Sequence, residues 1–151
     1  MSVVENVALP LSYRKMKKKE RIAIAMDALE KVHMADRAKY YPAQLSDGQQ
    51  QRVSLAKAIL PDPKVLIADE PFAALDPTIR SQTVNLILQL QKEMGLAFIF
   101  ISHNLGIVRH IADRVIVMDK GQIIEENVPD EFFNNPQSER TQAFLSQILN
   151  H

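Results

Sequence analysis

The 151-residue sequence contains no cysteine and only four glycines. Without cysteine, the chain forms neither disulfides nor thiolate metal sites, which suits a reducing compartment. Lysine and arginine together number 18, as do aspartate and glutamate, so no net positive field would attract nucleic acid or anionic lipid. No apolar run is long enough to cross a bilayer, and the N-terminus has no signal-peptide pattern. These absences favour a cytoplasmic chain that would reach a membrane only by docking onto another protein.

Hydrophobic residues make up 46% of the chain, which is enough for the core of one domain or of a large piece of one. No repeat or low-complexity linker marks a domain boundary. Ile22, Met26, Leu29 and Val32 recur at helical spacing and predict an amphipathic helix. The basic residues 14–19 could touch a membrane surface, but a solvated helix start is the better interpretation.

A second helix is predicted to begin at Ser46, because Gln49 three residues later completes a capping-box pattern. This helix should run to about Leu60, where Pro61 ends it. The apolar run 65–68 follows and predicts a short strand that is buried on both faces.

The third helix has clear start and stop signals. Asp76 is the expected N-cap, Pro77 lies in the first turn, and Gly95 ends the helix. A second buried strand at 96–101 completes a βαβ unit, whose two strands run parallel and end at the same edge of the sheet. Ligands bind at the carboxyl ends of strands in open parallel sheets. The polar residues expected at that edge are Asp69, Glu70, Ser102 and His103.

The last third of the chain reads as a hairpin followed by two short helices. Segments 114–118 and 122–125 flank Asp119-Lys120-Gly121, a turn sequence typical of a two-stranded hairpin. Helices are predicted around 129–133 and over Glu139–Leu149.

Two of these features suit phosphate chemistry. A strand that ends in Asp69 and Glu70 can hold Mg²⁺ with one carboxylate and orient a water with the other, although such a pair also commonly just begins a loop. The helix start at 46–49 offers free amides and a favourable dipole to an anion, although a plain helix cap has the same pattern. Gly48 would let the backbone approach such an anion closely.

Taken together and in order, these motifs resemble the ABC-type ATPase family over essentially the full chain. The matching segments are Leu45-Ser46-Asp47-Gly48-Gln49-Gln50-Gln51-Arg52, then 65–71, Ala74-Leu75-Asp76 and Ser102-His103. The resemblance implies an α/β, P-loop-NTPase-like fold with a partial parallel sheet. Its expected parts are a helical signature subdomain at about 1–60, an α/β part at about 61–128 and C-terminal helices at about 129–151.

The resemblance also implies roles for individual residues. Glu70 would be the general base, and Asp69 the carboxylate associated with Mg²⁺. His103 would contact the γ-phosphate of ATP. The signature motif and the dimer loop would contact ATP held by the opposite subunit, through Leu45, Ser46, Asp47, Gly48, Gln49 and Asp76.

The sequence departs from the family pattern in two places. No Gly-x-x-x-x-Gly-Lys-Ser/Thr motif is present, and no Gly-Lys pair occurs anywhere. We therefore expect the phosphate-binding loop, which lies upstream in this family, to be absent and the isolated chain to be inactive. Asp47 stands where most relatives have glycine, and a carboxylate near a triphosphate should weaken ATP-driven dimer closure.

The function implied by the resemblance is ATP hydrolysis coupled to transport, with the chain as the energy-coupling subunit of a bacterial transporter. Its expected partners are a second ATPase subunit, identical or different, the membrane permease subunits and a substrate-binding protein, with no nucleic acid. Its expected location is the cytoplasmic face of the plasma membrane. The alternatives are a truncated, catalytically silent interaction module, a lipoprotein-release or export ATPase, and a soluble ATPase outside transport.

Substrate clues within the sequence conflict. Residues 5–11 look like lipoprotein-releasing and macrolide-exporting ATPases, whereas 80–126 look like oligopeptide importers. The tail at 135–145 resembles polar amino-acid importers. Peptide or amino-acid import is the favoured interpretation.

Overall fold

The computed structural model describes residues 1–149, which fall into two compact units that meet in sequence between Ile101 and Ser102. The first unit contains α1 (Val3–Ala8), α2 (Lys18–Lys31), α3 (Asp47–Ile59), β1 (Val65–Asp69), α4 (Pro77–Met94), β2 (Ala97–Ile101) and 3-10 turns at Leu9–Tyr13, Ala35–Arg37 and Pro42–Gln44. The second contains α5 (Leu105–Ile111), β3 (Val115–Asp119), β4 (Gln122–Asn127), α6 (Pro129–Asn134) and α7 (Glu139–Leu149). Within the described part, no helix is both long and apolar enough to span a bilayer.

The core of the first unit lies among its helices. Predicted helices α2 and α3 are confirmed, and they pack with α1 through buried Leu29, Ala56 and Val7. Helix α1 was not predicted, although Ser2 and Glu5 form a capping box, which is a sequence signal for a helix start. The Ser2 amide and hydroxyl donate to Glu5 Oε2 at 3.0 and 3.1 Å, and these bonds hold the pKa of Glu5 below its ordinary value.

Strands β1 and β2 form the expected parallel pair, in register from Val65 opposite Ala97 to Asp69 opposite Ile101. The prediction that both strands are buried on both faces is wrong. Leu66 and Phe98 pack against the helical core, but successive side chains of a strand alternate between faces. The opposite face is open: its exposed fractions are 49% for Val65, 71% for Ile67, 52% for Ile99 and 52% for Ile101. The two apolar runs therefore predicted both strands correctly, but they wrongly predicted that the second face of each strand is buried.

Helix α4 begins and ends where its sequence signals predict. The Asp76 carboxylate accepts hydrogen bonds from the amides of Thr78 and Ile79 at 3.0 and 3.1 Å. Gly95 ends the helix in the left-handed region, with φ of 63°, and its N–H donates to the Gln91 carbonyl. The Asp76 end fixes where the loop from β1 joins α4, and the Gly95 end fixes where α4 leads into β2.

The second unit is built on the predicted hairpin. Lys120 and Gly121 both have positive φ, 49° and 76°, as a two-residue hairpin turn of the I′ type requires. Predicted helices α6 and α7 are confirmed and contribute Phe132 and Leu145 to a small core with Val115. Helix α5 was not predicted.

One carboxylate is buried in this second unit. Glu125 of β4 is 9% exposed, and its side-chain oxygens accept the backbone amides of Gln137 and Ser138, each at 3.0 Å, just before α7. Burial alone would raise the pKa of Glu125, but these hydrogen bonds outweigh it and hold the pKa below its ordinary value. Glu125 thus ties the hairpin to the start of α7.

Candidate functional site

The start of α3 is a capping box. The Ser46 hydroxyl accepts the Gln49 amide at 3.4 Å, and the Gln49 side-chain oxygen accepts the Ser46 amide at 3.0 Å. Leu45 is buried and anchors the motif, whereas Ser46 and Asp47 are exposed. The helix N-terminus predicted from sequence therefore stands at the surface, with its dipole favouring an anion.

Gly48 is buried between α3 and α4. A Cβ added to Gly48 would lie 2.5 Å from Ile79 Cγ2, a separation that real Cβ atoms essentially never show. The chain segment that closely approaches Gly48 in this structure is thus the first turn of α4. Packing alone requires glycine here, and a contact between Gly48 and phosphate stays a prediction.

The carboxylate pair lies at the carboxyl end of β1, as the βαβ pattern predicts. Asp69 is the last residue of the strand and is exposed, while Glu70 is partly buried. The Glu70 amide donates to the Ile101 carbonyl at 2.8 Å, which extends the ladder by one residue. Glu70 then turns the chain with φ of 45°, a left-handed conformation that is uncommon for a residue other than glycine. Such backbone strain clusters at functional sites.

Two side chains that sequence reasoning missed hold the loop after Glu70. Gln51 Nε2 of α3 donates to the Pro71 carbonyl at 2.9 Å. Arg80 Nη2 of α4 donates to the Leu75 carbonyl, also at 2.9 Å. Neither contact has a sequence signature, because a glutamine or an arginine on a helix gives no indication of which distant carbonyl it meets.

Asp76 has a structural role in this chain, since one of its oxygens caps α4 through two amides. This role explains the residue without a nucleotide, and its place in a dimer loop stays a prediction. In the first unit the candidate residues lie on three segments that contact one another: the start of α3, the first turn of α4 and the loop that carries Glu70. The start of α3 contacts α4 through Gly48 and Ile79, and α3 is tied to the Glu70 loop through Gln51.

His103 belongs to the second unit, directly after β2. It is exposed and lies between Ser102 and Asn104. The Asn104 amide donates to the Ser102 hydroxyl at 3.1 Å, and its side-chain oxygen caps α5 by accepting the Ile107 amide at 3.2 Å. The Asn104 side chain therefore has a structural role as the N-cap of α5.

The donor set at the end of β1 suits a loosely held magnesium ion. Across the described residues, no group of three histidine, cysteine, aspartate or glutamate side chains could hold a metal ion. Mg²⁺ in phosphate-processing sites typically takes one or two carboxylates and completes its shell with water and substrate phosphates. A single exposed carboxylate, Asp69, fits that pattern.

The parallel βαβ arrangement with carboxylates at the end of β1 is an α/β arrangement consistent with a P-loop-NTPase-like fold. The sequence model described as "ABC transporter" matches residues 1–73. The chain is 44% identical to the glutamine transport ATP-binding protein of Geobacillus stearothermophilus, in an alignment that covers 100% of this chain and 62% of that protein.

Two other similar proteins are also named as amino-acid transport ATP-binding proteins. Identity is 45% to the glutamate/glutamine/aspartate/asparagine transport ATP-binding protein of Rhodobacter capsulatus, over 100% of this chain and 57% of the relative. It is also 45% to the general L-amino acid transport ATP-binding protein of Rhizobium johnstonii, over 99% and 58%. Along its whole length the chain is therefore similar to ABC transporter ATP-binding proteins. It spans about three fifths of the length of these relatives.

Proposed function

We propose that this chain forms part of the ATP-hydrolysing, energy-coupling subunit of a bacterial ABC transporter that imports polar amino acids. The observation that carries the proposal is identity of 44% and 45%, along the whole chain, to proteins named for glutamine and glutamate transport. The importer-like tail at 135–145 agrees with those names, and similarity of this extent favours a working subunit over a catalytically silent module.

In this proposal Glu70 is the general base for hydrolysis. It accepts a proton from the attacking water while the water oxygen bonds to the γ-phosphorus and the bond to the bridging oxygen of ADP breaks. Asp69 would hold Mg²⁺, which neutralises charge on the phosphates. His103 would donate a hydrogen bond to the γ-phosphate. Glu70 suits its role because its strained backbone is held on one side by the Ile101 carbonyl.

The signature residues act on a nucleotide held by another subunit. Ser46 and the amides of residues 47 and 48 offer an anion site at the start of α3, and Asp76 begins the helix beside it. The partners are therefore a second ATPase subunit, the permease subunits and a substrate-binding protein, at the cytoplasmic face of the membrane. Because no residue of this chain supplies the glycine-rich loop and its lysine, the chain alone should hydrolyse no ATP.

A chimaera tests this function. The glycine-rich-loop segment of the Geobacillus relative is joined ahead of residue 1, and ATP hydrolysis is measured with and without a Glu70→Gln substitution. Removal of a general base should lower kcat by about 10²- to 10⁴-fold. The matched control is Glu93→Gln on the exposed face of α4, which should leave kcat unchanged. Hydrolysis that survives Glu70→Gln, or that the isolated chain performs alone, would contradict the proposal.

A further inference from the structure

Helix α3 is joined to the loop that carries Glu70 by one side chain. Gln51 lies two residues beyond the capping box, and its Nε2 donates to the carbonyl of Pro71, twenty positions away in sequence, at 2.9 Å. Both groups are partly buried, so water competes less for this bond than for one at the surface. Gln51 thereby connects the helix that begins at Ser46 to the residue that directly follows Glu70.

Pro71 has few other ways to be held. Proline lacks a backbone N–H, so its carbonyl is the one backbone group through which hydrogen bonds can fix it. Within the loop, the Ala73 and Leu75 amides donate to the Glu70 and Phe72 carbonyls, each at 3.2 Å. At its ends, the Glu70 amide bonds to the Ile101 carbonyl and the Leu75 carbonyl accepts from Arg80. Gln51 therefore attaches the residue directly after Glu70 to a separate helix.

The attachment at Pro71 matters because Glu70 has an uncommon backbone conformation. A φ of 45° is sparsely populated for a glutamate and persists only where the surroundings enforce it. The Ile101 carbonyl constrains Glu70 through its N–H, the Ala73 amide binds the Glu70 carbonyl, and Gln51 constrains the following peptide through the Pro71 carbonyl. If the Gln51 bond were lost, the loop could relax toward ordinary backbone angles and turn the Glu70 side chain away.

We propose that Gln51 is a positioning residue that holds the Glu70 carboxylate in its working orientation and links it to the signature end of the same chain. A shift of α3 when Ser46 meets a nucleotide would thus reach the Pro71 carbonyl and, one residue earlier, Glu70. The catalytic meaning of this link rests on the proposed function, whereas the link itself can be tested without ATP.

The first experiment uses the 151-residue chain and measures backbone hydrogen exchange by mass spectrometry. Gln51→Met keeps an unbranched side chain of similar size and removes the donor. Amides of residues 72–75 should exchange about fivefold faster, as expected for loss of one hydrogen bond, while those of α4 stay unchanged. Gln89→Met is the matched control, because Gln89 bonds only to its helical neighbour Glu93 on an exposed face among the contacts observed. Unchanged exchange in the loop would overturn the proposed link.

The second experiment uses the chimaera described above. Gln51→Met should lower kcat about tenfold with KM for ATP and the thermal unfolding midpoint unchanged, since the loss acts on orientation at the reacting centre. Gln89→Met should change none of these values. A kcat equal to that of the parent, or an equal loss in the control, would overturn the positioning role. A parent chimaera without activity would refute the proposed function, and with it the catalytic role of Gln51, while the exchange result would still decide the link.

Discussion

The two units of the chain use their carboxylates in opposite ways. In the first unit Asp69 and Asp76 are exposed and Glu70 is partly buried, all within reach of solvent. In the second, Glu125 is buried and both of its oxygens are bound by backbone amides. The difference separates carboxylates that solvent can reach from one whose satisfied hydrogen bonds stabilise its surroundings.

Glu125→Ala should be the most destabilising of the changes that test this contrast. It removes the carboxylate that accepts two partly buried hydrogen bonds, from the amides of Gln137 and Ser138, so we expect the free energy of unfolding to fall by about 2–3 kcal/mol. Urea denaturation monitored by circular dichroism measures this change. The neighbouring Glu126 pairs with Arg114 at the surface, so Glu126→Ala should cost at most about 1 kcal/mol. Equal losses of unfolding free energy in the two variants would contradict the predicted difference between the buried and the exposed glutamate.

Gly48→Ala tests the packing between α3 and α4 in the first unit. The added methyl group meets Ile79, so the free energy of unfolding should fall by about 1–3 kcal/mol. Gly106 in α5 is the control, because a Cβ there has its nearest neighbour, Asn104 Oδ1, at 3.5 Å. Gly106→Ala should therefore stabilise the chain by about 0.5–1 kcal/mol through helix propensity. A neutral Gly48→Ala variant would show that Ile79 moves aside freely.

Glu125 should also make the stability of the second unit depend on pH. Its pKa in the folded chain lies below the ordinary value of 4.5, so the unfolded chain binds the proton more readily. The stabilisation is fully present above the ordinary value and is lost as pH falls through the folded pKa. Urea midpoints measured between pH 7 and pH 3 should decline less steeply in Glu125→Gln. The same decline in both proteins would assign the pH dependence to other groups.

Asp47→Gly should have the smallest effect on stability in this series. An acidic residue in the first turn favours the helix dipole by about 0.3–1 kcal/mol, so its loss should destabilise the chain only slightly. Under the proposed function, the same change in the chimaera should strengthen dimerisation driven by ATP, because it removes a carboxylate from the surface expected to meet the triphosphate. Size-exclusion chromatography with and without ATP measures that response, and unchanged dimerisation would refute the predicted repulsion.

Sequence signals located the elements of the fold well where the signal is local. Asp76, Pro77 and Gly95 fixed both ends of α4, and Lys120-Gly121 fixed the hairpin turn. Each of these residues determines the backbone within a few positions of itself. Helix α1 carried the same kind of signal in Ser2 and Glu5, so it could have been predicted.

Properties that depend on distant packing could not be predicted in the same way. The apolar run of β1 does not reveal which face another element covers, so the exposure of Ile67 was missed. The contact of Gly48 with Ile79 and the bond from Gln51 to Pro71 join residues far apart in sequence, and both emerge only from the folded arrangement of α3 and α4. The candidate carboxylates were located at the strand end because parallel topology alone determines that position.

The open apolar face of the β1–β2 sheet affects how the folded state of this chain can be assayed. Val65, Ile67, Ile99 and Ile101 expose aliphatic surface side by side on two paired strands. Dyes such as ANS fluoresce on exposed apolar surface and are commonly used to diagnose loosely packed states. A correctly folded sample should therefore already bind the dye, so near-ultraviolet circular dichroism or hydrogen exchange is the better criterion of native packing.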